Sequence, residues 1–154
     1  MQERPVDTIR HPRRGPIYGF MSRPRISLGI FLGALIVATS IAHSLVGWPQ
    51  LSARLRATPA PIDLMIALQI GWYFAGLAML TFGSIVIWTF SNYLRGRAVS
   101  LRPAQIIGLV YLAFGLWALA VSRFDPFFFI FIAPGVTLVA VAWWPTSGSV
   151  PSRA

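Results

Sequence analysis

The sequence predicts an all-α protein: a transmembrane four-helix bundle with up-down-up-down topology and both termini in the cytoplasm. Apolar residues make up 56% of the 154-residue chain and charged residues 11%, whereas an ordinary soluble domain is roughly 25% charged. Four long apolar segments are separated by short stretches rich in proline and arginine. Segments of this length and composition are typical of helices that cross a bilayer.

The distribution of arginine predicts the orientation. All thirteen basic residues are arginine, and with four acids they give a formal charge of +9. With four spans, ten arginines fall on the side of the termini, whereas the loop 49–61 and Arg123 place three on the other. Arginine is retained in cytoplasmic segments, so both termini are expected inside. Because the arginines lie outside the apolar runs, the charge indicates lipid contact and not nucleic acid.

Residues 1–25 are predicted to be a flexible, arginine-rich cytoplasmic arm. They contain four prolines and show no helical periodicity. Arg23 and Arg25 directly precede the first apolar segment, where each arginine contributes about 1 kcal/mol of attraction to an anionic leaflet. We therefore predict that these two side chains contact lipid headgroups.

The first span is predicted over residues 26–48, which include no Asp, Glu, Lys or Arg. A helix of that length covers roughly 34 Å, enough to cross a hydrocarbon core of about 30 Å. A stripe with steps of four and three runs along it: Gly29, Gly33, Ile36, Ser40, His43 and Gly47. Small and polar residues favour close helix packing over lipid contact. Pro49 is expected to end this helix and to begin a short loop, 49–61, with a turn of interfacial helix over 50–57 as an option.

The second span is predicted over residues 64–93. Gln69, Gly76 and Gly83 recur every seven residues and indicate a second packing seam. Thirty residues exceed what a perpendicular span needs, so the helix is expected to tilt or protrude. Asp63 is expected to act as an acid or cap at its start.

The third and fourth spans are predicted over residues 104–122 and 126–144. The third has its own stripe of mostly small residues, which includes the packing residues Gly108 and Gly115. In the fourth, Pro134 removes one backbone donor and predicts a kink, with Gly135 as the flexible joint. The transmembrane domain thus covers residues 26–145, and 146–154 form a short cytoplasmic tail.

His43 is the titratable group inside a predicted span, and intramembrane ionisable residues are functional candidates. Most of the remaining polar chemistry is expected at the same, extracytoplasmic mouth of the bundle. A shallow aromatic-walled pocket there would receive a lipid headgroup, a quinone ring or another amphipathic ligand. Its predicted residues are His43, Gln69, Trp72, Tyr73, Arg123 and Asp125. The alternative is structural: a neutral His43 bonded to Thr39, Ser40 or Gln69, and aspartates that stabilise helix starts.

Enzymatic chemistry is not indicated by these residues. No nucleophile is paired with a base, and the glycines are spaced for packing and not for a phosphate-binding loop. Haem ligation by two histidines is disfavoured because the second histidine, His11, is expected on the opposite side of the membrane. The sequence has no cysteine, which excludes disulfides and thiolate sites. We expect neither a metal nor another cofactor.

Three features give the chain a resemblance to a known group: AHSLVGWPQL closing the first span, GWYFAGLAML in the second, and a final helix interrupted by proline. With these features, residues 26–145 resemble small four-span integral membrane proteins of bacteria whose function is uncharacterised. The resemblance implies a location in the bacterial inner membrane and no catalytic residues.

Two functional hypotheses follow. The first is a non-enzymatic accessory or interaction subunit of a membrane complex, whose partners are membrane lipids and another membrane protein or a second copy of itself. The alternative is a redox-accessory or ligand-binding protein that holds a lipid or quinone near His43.

Overall fold

The computed structural model describes residues 21–58, 60–97 and 99–143. Within these ranges the fold is all-α and contains no strand. Its elements are α1 (Arg23–Ala42), a π-helical segment (His43–Gly47), α2 (Trp48–Arg56), α3 (Ile62–Leu94), α4 (Arg102–Val121), a 3₁₀ turn (Pro126–Phe128) and α5 (Phe129–Trp143). Most of the predicted arm and all of the predicted tail, 146–154, lie outside the described residues.

The first helix does not end at Pro49, so that prediction is wrong. α1, the π segment and α2 form one helical run of 34 residues from Arg23 to Arg56. Pro49 lies in the first turn of α2, directly after the π segment. Proline is tolerated at the first turn of a helix, and the change in hydrogen-bond register at the π segment makes this position equivalent to a new start.

α3 is the longest single α-helix of the described residues, with 33 residues against the thirty of the predicted span. Pro61 precedes it, and Asp63 lies in its first turn without making a side-chain cap. A carboxylate in this position still stabilises the partial positive charge of the helix start.

A tight turn joins α3 to the connection that leads to α4. The Gly96 amide donates to the Tyr93 carbonyl, and the Arg97 amide donates to the Asn92 carbonyl, both at 3.0 Å. This pattern is a Schellman motif, which requires a left-handed residue after the helix. Gly96 supplies it with φ +72°.

Two antiparallel helix pairs make up the fold. Gly29 of α1 faces Phe90 of α3, Gly33 faces Gly83, and Gly47 faces Trp72. Because α1 numbers rise as α3 numbers fall, the two helices run in opposite directions. In the same way Gly108 of α4 faces Gly135 of α5, and Gly115 faces Ile132.

The core lies where the two pairs meet. Val86 and Phe90 of α3 and Leu138 of α5 are almost fully buried. Leu32 and Ile36 of α1 and Ile107 and Tyr111 of α4 join the same cluster. At one end of the bundle, the Arg25 Nη2 atom donates to the Val141 carbonyl at 2.8 Å and ties α1 to α5.

Four helical runs of the described chain are long and apolar enough to cross a membrane: 23–56, 62–94, 102–121 and 126–143. Their outward faces carry large apolar side chains, among them Phe31, Phe74, Phe114 and Ile130. An apolar exterior suits contact with lipid, whereas in water a patch of this extent is unusual.

Candidate functional site

His43 and Trp72 form a reciprocal pair between the π segment and α3. Their rings are stacked with centroids 4.1 Å apart and planes 6° from parallel. The Trp72 Nε1–H group donates to the His43 carbonyl at 2.8 Å, and the His43 Nε2 atom lies 3.2 Å from the Trp72 carbonyl. A carbonyl only accepts hydrogen bonds, so this contact assigns the proton to Nε2. In the neutral ring, Nδ1 then carries a lone pair.

The predicted partners of His43 were Thr39, Ser40 and Gln69, and the structure shows a different arrangement. Thr39 donates to the carbonyl of Leu35 in its own helix. Ser40 donates to the carbonyl of Gly76 at 2.7 Å in a buried contact between α1 and α3. The missed partner is Trp72, through both its ring and its backbone.

The π segment His43–Gly47 brings the pair together. A π turn holds one more residue than an α turn and is frequent at functional sites. Gly47 closes the segment beside the Trp72 ring, where an added Cβ would lie 2.7 Å from the Cζ2 atom. Any larger residue at position 47 would therefore push the indole out of its place above His43.

A layer of aromatic rings surrounds the pair. Trp48 is 8% exposed, and its ring centroid lies 6.3 Å from that of Trp72 and 6.1 Å from that of Tyr73. Trp48 was not among the residues predicted to form the site. Trp48 follows His43 by five residues, which is not the spacing of two residues on one face of an α-helix. The spacing fits the π segment, in which hydrogen bonds span five residues.

The other predicted ligand-binding residues lie apart from this cluster. Gln69 is exposed on α3, and Arg123 and Asp125 are exposed in the connection between α4 and α5. The Asp125 Oδ1 atom accepts from the Phe127 amide at 2.9 Å and caps the turn before α5. Arg123 has φ 58°, a left-handed conformation in which non-glycine residues are uncommon. The described contacts therefore unite His43, Trp72 and Tyr73 and give Asp125 a capping role.

The predicted packing residues of the first pair lie in the α1–α3 interface. An added Cβ at Gly33 would meet the Ile87 amide nitrogen at 2.9 Å, and one at Gly83 would meet the Val37 amide nitrogen at 2.9 Å. At Gly29 the obstacle is the Phe90 ring, and at Gly76 it is the Ser44 hydroxyl. At Gly33 and Gly83 the two backbones approach so closely that only glycine fits, whereas at Gly29 and Gly76 side chains of the other helix fill the space.

The second pair, α4 and α5, also packs closely through glycines. An added Cβ at Gly108 would lie 3.0 Å from the Val139 amide nitrogen, and one at Gly115 would lie 3.0 Å from the Ile132 amide nitrogen. Gly135, predicted as a flexible joint, lies against the Leu112 backbone, 2.6 Å from an added Cβ. The matching seam on α4 was the signal for this packing, and the kink at Pro134 stays a prediction.

No group of three His, Cys, Asp or Glu side chains lies together in the part of the chain that the structure describes. The chemistry available at the His43 cluster is hydrogen bonding and aromatic stacking. These interactions suit an uncharged amphipathic molecule at the membrane interface.

Basic side chains gather at the opposite end of the bundle from His43. Arg23 and Arg25 open α1, Arg95 and Arg97 follow α3, and Arg102 opens α4. The Arg97 Nη1 atom donates to the Asn92 Oδ1 atom at 3.0 Å, and the Asn92 amide donates to the Trp88 carbonyl at 2.9 Å. Asn92 is 4% exposed, so a buried side chain positions this arginine.

A groove of about 440 Å³ runs along the outward face of α3, lined by Leu80, Thr81, Ser84, Ile85 and Trp88. The hydroxyls of Thr81 and Ser84 donate to carbonyls one turn earlier in the same helix. Their hydrogen-bond donors are thus satisfied, and the groove presents an apolar surface.

Comparisons of the chain with protein-family models, with curated proteins and with solved structures found no match.

Proposed function

We propose that this chain is a non-enzymatic accessory subunit of the bacterial inner membrane, which binds a partner protein through the part of α3 that projects from the bilayer. The observation that supports this proposal is the length of α3. Its 33 residues extend about 50 Å, against a hydrocarbon core of about 30 Å. Tilt alone would need about 53°, beyond the roughly 40° limit seen for spanning helices.

The depths at which arginine and aromatic side chains lie in the membrane indicate which end of α3 projects. Arg25, Arg95 and Arg97 mark the headgroup level at the end where α3 terminates. Tyr73 and Trp72 lie 22 and 23 residues before Arg95, about 33–35 Å away along α3, and form an aromatic layer with Trp48. By this measure, residues 62–71 project beyond the hydrocarbon.

The projecting residues are apolar on their outer faces. Ile62 is 72% exposed, Ile66 50% and Ile70 66%. Each aliphatic side chain covered by a partner removes this area from water, which stabilises by about 25 cal/mol per Å². A second membrane subunit with an apolar surface above the bilayer is the partner that fits.

Photo-crosslinking tests this proposal. A photoreactive residue at Ile66 or Ile70 is expected to capture the same protein partner in membranes, because both positions project. Ile106 of α4 is similarly exposed but lies one helical turn inside the headgroup level that Arg102 marks, so it serves as the matched control and should capture lipid. Capture of lipid alone at all three positions would contradict the proposal.

The topology belongs to the same proposal. We place four spans up-down-up-down, with the arm, the connection between α3 and α4 and the tail in the cytoplasm, because ten of the thirteen arginines then lie inside. A reporter enzyme active only outside the membrane should be silent at the C-terminus and active when inserted near Thr58. The reverse pattern would invert the assignment.

A second candidate function, binding of a lipid or quinol at the His43 mouth, is favoured by the hydrogen-bond geometry there. With Nε2 committed to the Trp72 carbonyl, Nδ1 of the neutral ring accepts a hydrogen bond. The ligand is therefore one that presents a hydroxyl, such as a quinol. Native mass spectrometry of gently solubilised protein should show a bound small molecule that His43→Leu loses and Thr39→Val retains; its persistence in His43→Leu would reject the site.

A further inference from the structure

We infer that the connection between α3 and α4 is a binding site for anionic phospholipid, with Arg95, Arg97 and Arg102 as its phosphate-binding side chains. This inference needs the membrane location but not the proposed protein partner. In a membrane, the arginine end of the bundle lies at headgroup level. The ligand chemistry available there is a phosphate diester with a net negative charge.

Among the described residues, the charge at this end is unbalanced. Five arginines open α1 and α4 or follow α3, whereas the described aspartates, Asp63 and Asp125, stand at the starts of α3 and of the turn before α5. Both of those starts lie at the opposite end of the bundle. No carboxylate of the described residues lies at the arginine end, and the phosphates of an anionic leaflet offer negative charge at that level.

The site is also ordered before lipid binds. The Schellman turn at Gly96 fixes the backbone after α3, and buried Asn92 holds the guanidinium of Arg97 at 3.0 Å. A guanidinium carries five N–H donors, so one bond to Asn92 positions the group and leaves others for a phosphate. Charge-assisted, bidentate contacts of arginine with phosphate are short and directional. An ordered arginine gains more from them than a mobile one, because less side-chain entropy is lost.

Arg25 differs from these three residues. Its guanidinium donates to the last turn of α5 at Val141, and Gln105 donates to the next carbonyl, that of Ala142, at 3.0 Å. These two side chains satisfy carbonyl groups at the end of α5. We therefore assign Arg25 a mainly structural part and place the lipid phosphate by the connection between α3 and α4.

Native mass spectrometry of the full chain in mixed micelles with equal phosphatidylglycerol and phosphatidylcholine tests the inference. The wild type should retain more phosphatidylglycerol than phosphatidylcholine. Each arginine near an anionic surface contributes about fivefold in affinity, so Arg95→Gln with Arg97→Gln should lower the preference by about 25-fold. Arg54→Gln with Arg56→Gln removes the same charge at the opposite end and should leave the preference unchanged. Equal losses in the two double variants would overturn the inference in favour of net charge alone.

Two further measurements distinguish an ordered binding site for lipid from general electrostatic attraction to anionic lipid. Asn92→Ala changes no charge, so the affinity of this variant for phosphatidylglycerol should fall only if Asn92 must position Arg97. An unchanged preference for phosphatidylglycerol, in protein with unchanged helical content, would reject that role of Asn92. Excess inorganic phosphate should not displace the lipid, because the acyl chains also contribute. Displacement by phosphate would identify a site for free anion and contradict a lipid site.

Discussion

Individual glycines determine how close the helices of this protein approach. At Gly33 the atoms that an added Cβ would meet are the Ile87 amide nitrogen at 2.9 Å and the Gly83 carbonyl oxygen at 3.0 Å. Backbone atoms cannot rotate away as a side chain can. The cost of a methyl group there is therefore a displacement of a whole helix.

We predict that Gly33→Ala lowers the free energy of unfolding by about 1–3 kcal/mol, the usual cost of overpacking. Gly71→Ala is the matched control in α3, since an added Cβ there meets nothing within 4 Å and alanine favours a helix by up to about 1 kcal/mol. Thermal unfolding in detergent should separate the two variants. Equal midpoints would show that α1 and α3 do not pack as described.

The buried hydroxyl group of Tyr111 leads to a second prediction about stability. Its side chain is 6% exposed, and its hydroxyl has no hydrogen-bond partner within the described ranges. A buried polar group without a partner costs about 1–3 kcal/mol, so Tyr111→Phe should raise the unfolding midpoint. Tyr73→Phe changes an exposed hydroxyl and should have little effect. A lower midpoint for Tyr111→Phe would mean that the hydroxyl holds a polar partner.

At the scale of elements, the π segment is the feature that aligns α1 and α2 along α3. It carries the His43 carbonyl, which accepts the Trp72 indole hydrogen bond, and Gly47, which leaves room for the same ring. The segment therefore depends on a side chain from another helix for its stability. This dependence is open to a direct test.

Trp72→Phe should lower stability by about 1 kcal/mol, the typical contribution of a net hydrogen bond, because phenylalanine keeps the stacking but lacks the N–H group. Trp88→Phe is the matched control, as Trp88 is 61% exposed and lies on the outward face. Circular dichroism melts of both variants provide the measurement. If the two melts coincide, the indole hydrogen bond does not hold the π segment in place.

The sequence was informative about elements for a specific physical reason. Hydropathy and helical periodicity are local, so they predict the four long apolar helices that the structure contains. The π segment and the continuation through Pro49 were missed because they depend on Trp72, 24 residues further along the chain than Trp48. The packing of Gly135 against Leu112 is likewise a contact with another helix, which local patterns do not reveal.

For the candidate site, periodicity placed His43 on the face of α1 that packs, and the structure has it against α3. It did not identify Trp72 as the partner, since a reciprocal pair of ring and backbone contacts leaves no spacing pattern. Arg123 and Asp125 attracted attention as charged residues near the same mouth. Their described role in the turn before α5 follows from backbone geometry, which composition does not reveal.

At the scale of the whole molecule, the chain consists of two closely packed helix pairs joined at residues 95–101. Gly33 with Gly83 marks the centre of the first pair, and Gly108 with Gly135 that of the second. The pairs meet through side chains of the core and through the contact of Arg25 with Val141. Each pair is therefore expected to be a stable unit in the membrane.

Dividing the chain after Arg97 tests this expectation. Two co-expressed fragments should each insert and should copurify in one complex, since both glycine interfaces remain within fragments. Division after Phe124 separates α4 from α5 and is the matched control, with a lower yield of complex expected. Equal recovery from the two divisions would show that pairing within the bundle is not dominant.

The pairing of neighbours along the chain also bears on synthesis. The first helical run can dock with α3 as soon as that helix leaves the ribosome, before α4 and α5 have emerged. α5 likewise finds its seam on the helix made immediately before it. The protein can therefore assemble in the order in which it is translated, without a helix waiting in the translocon for a distant partner.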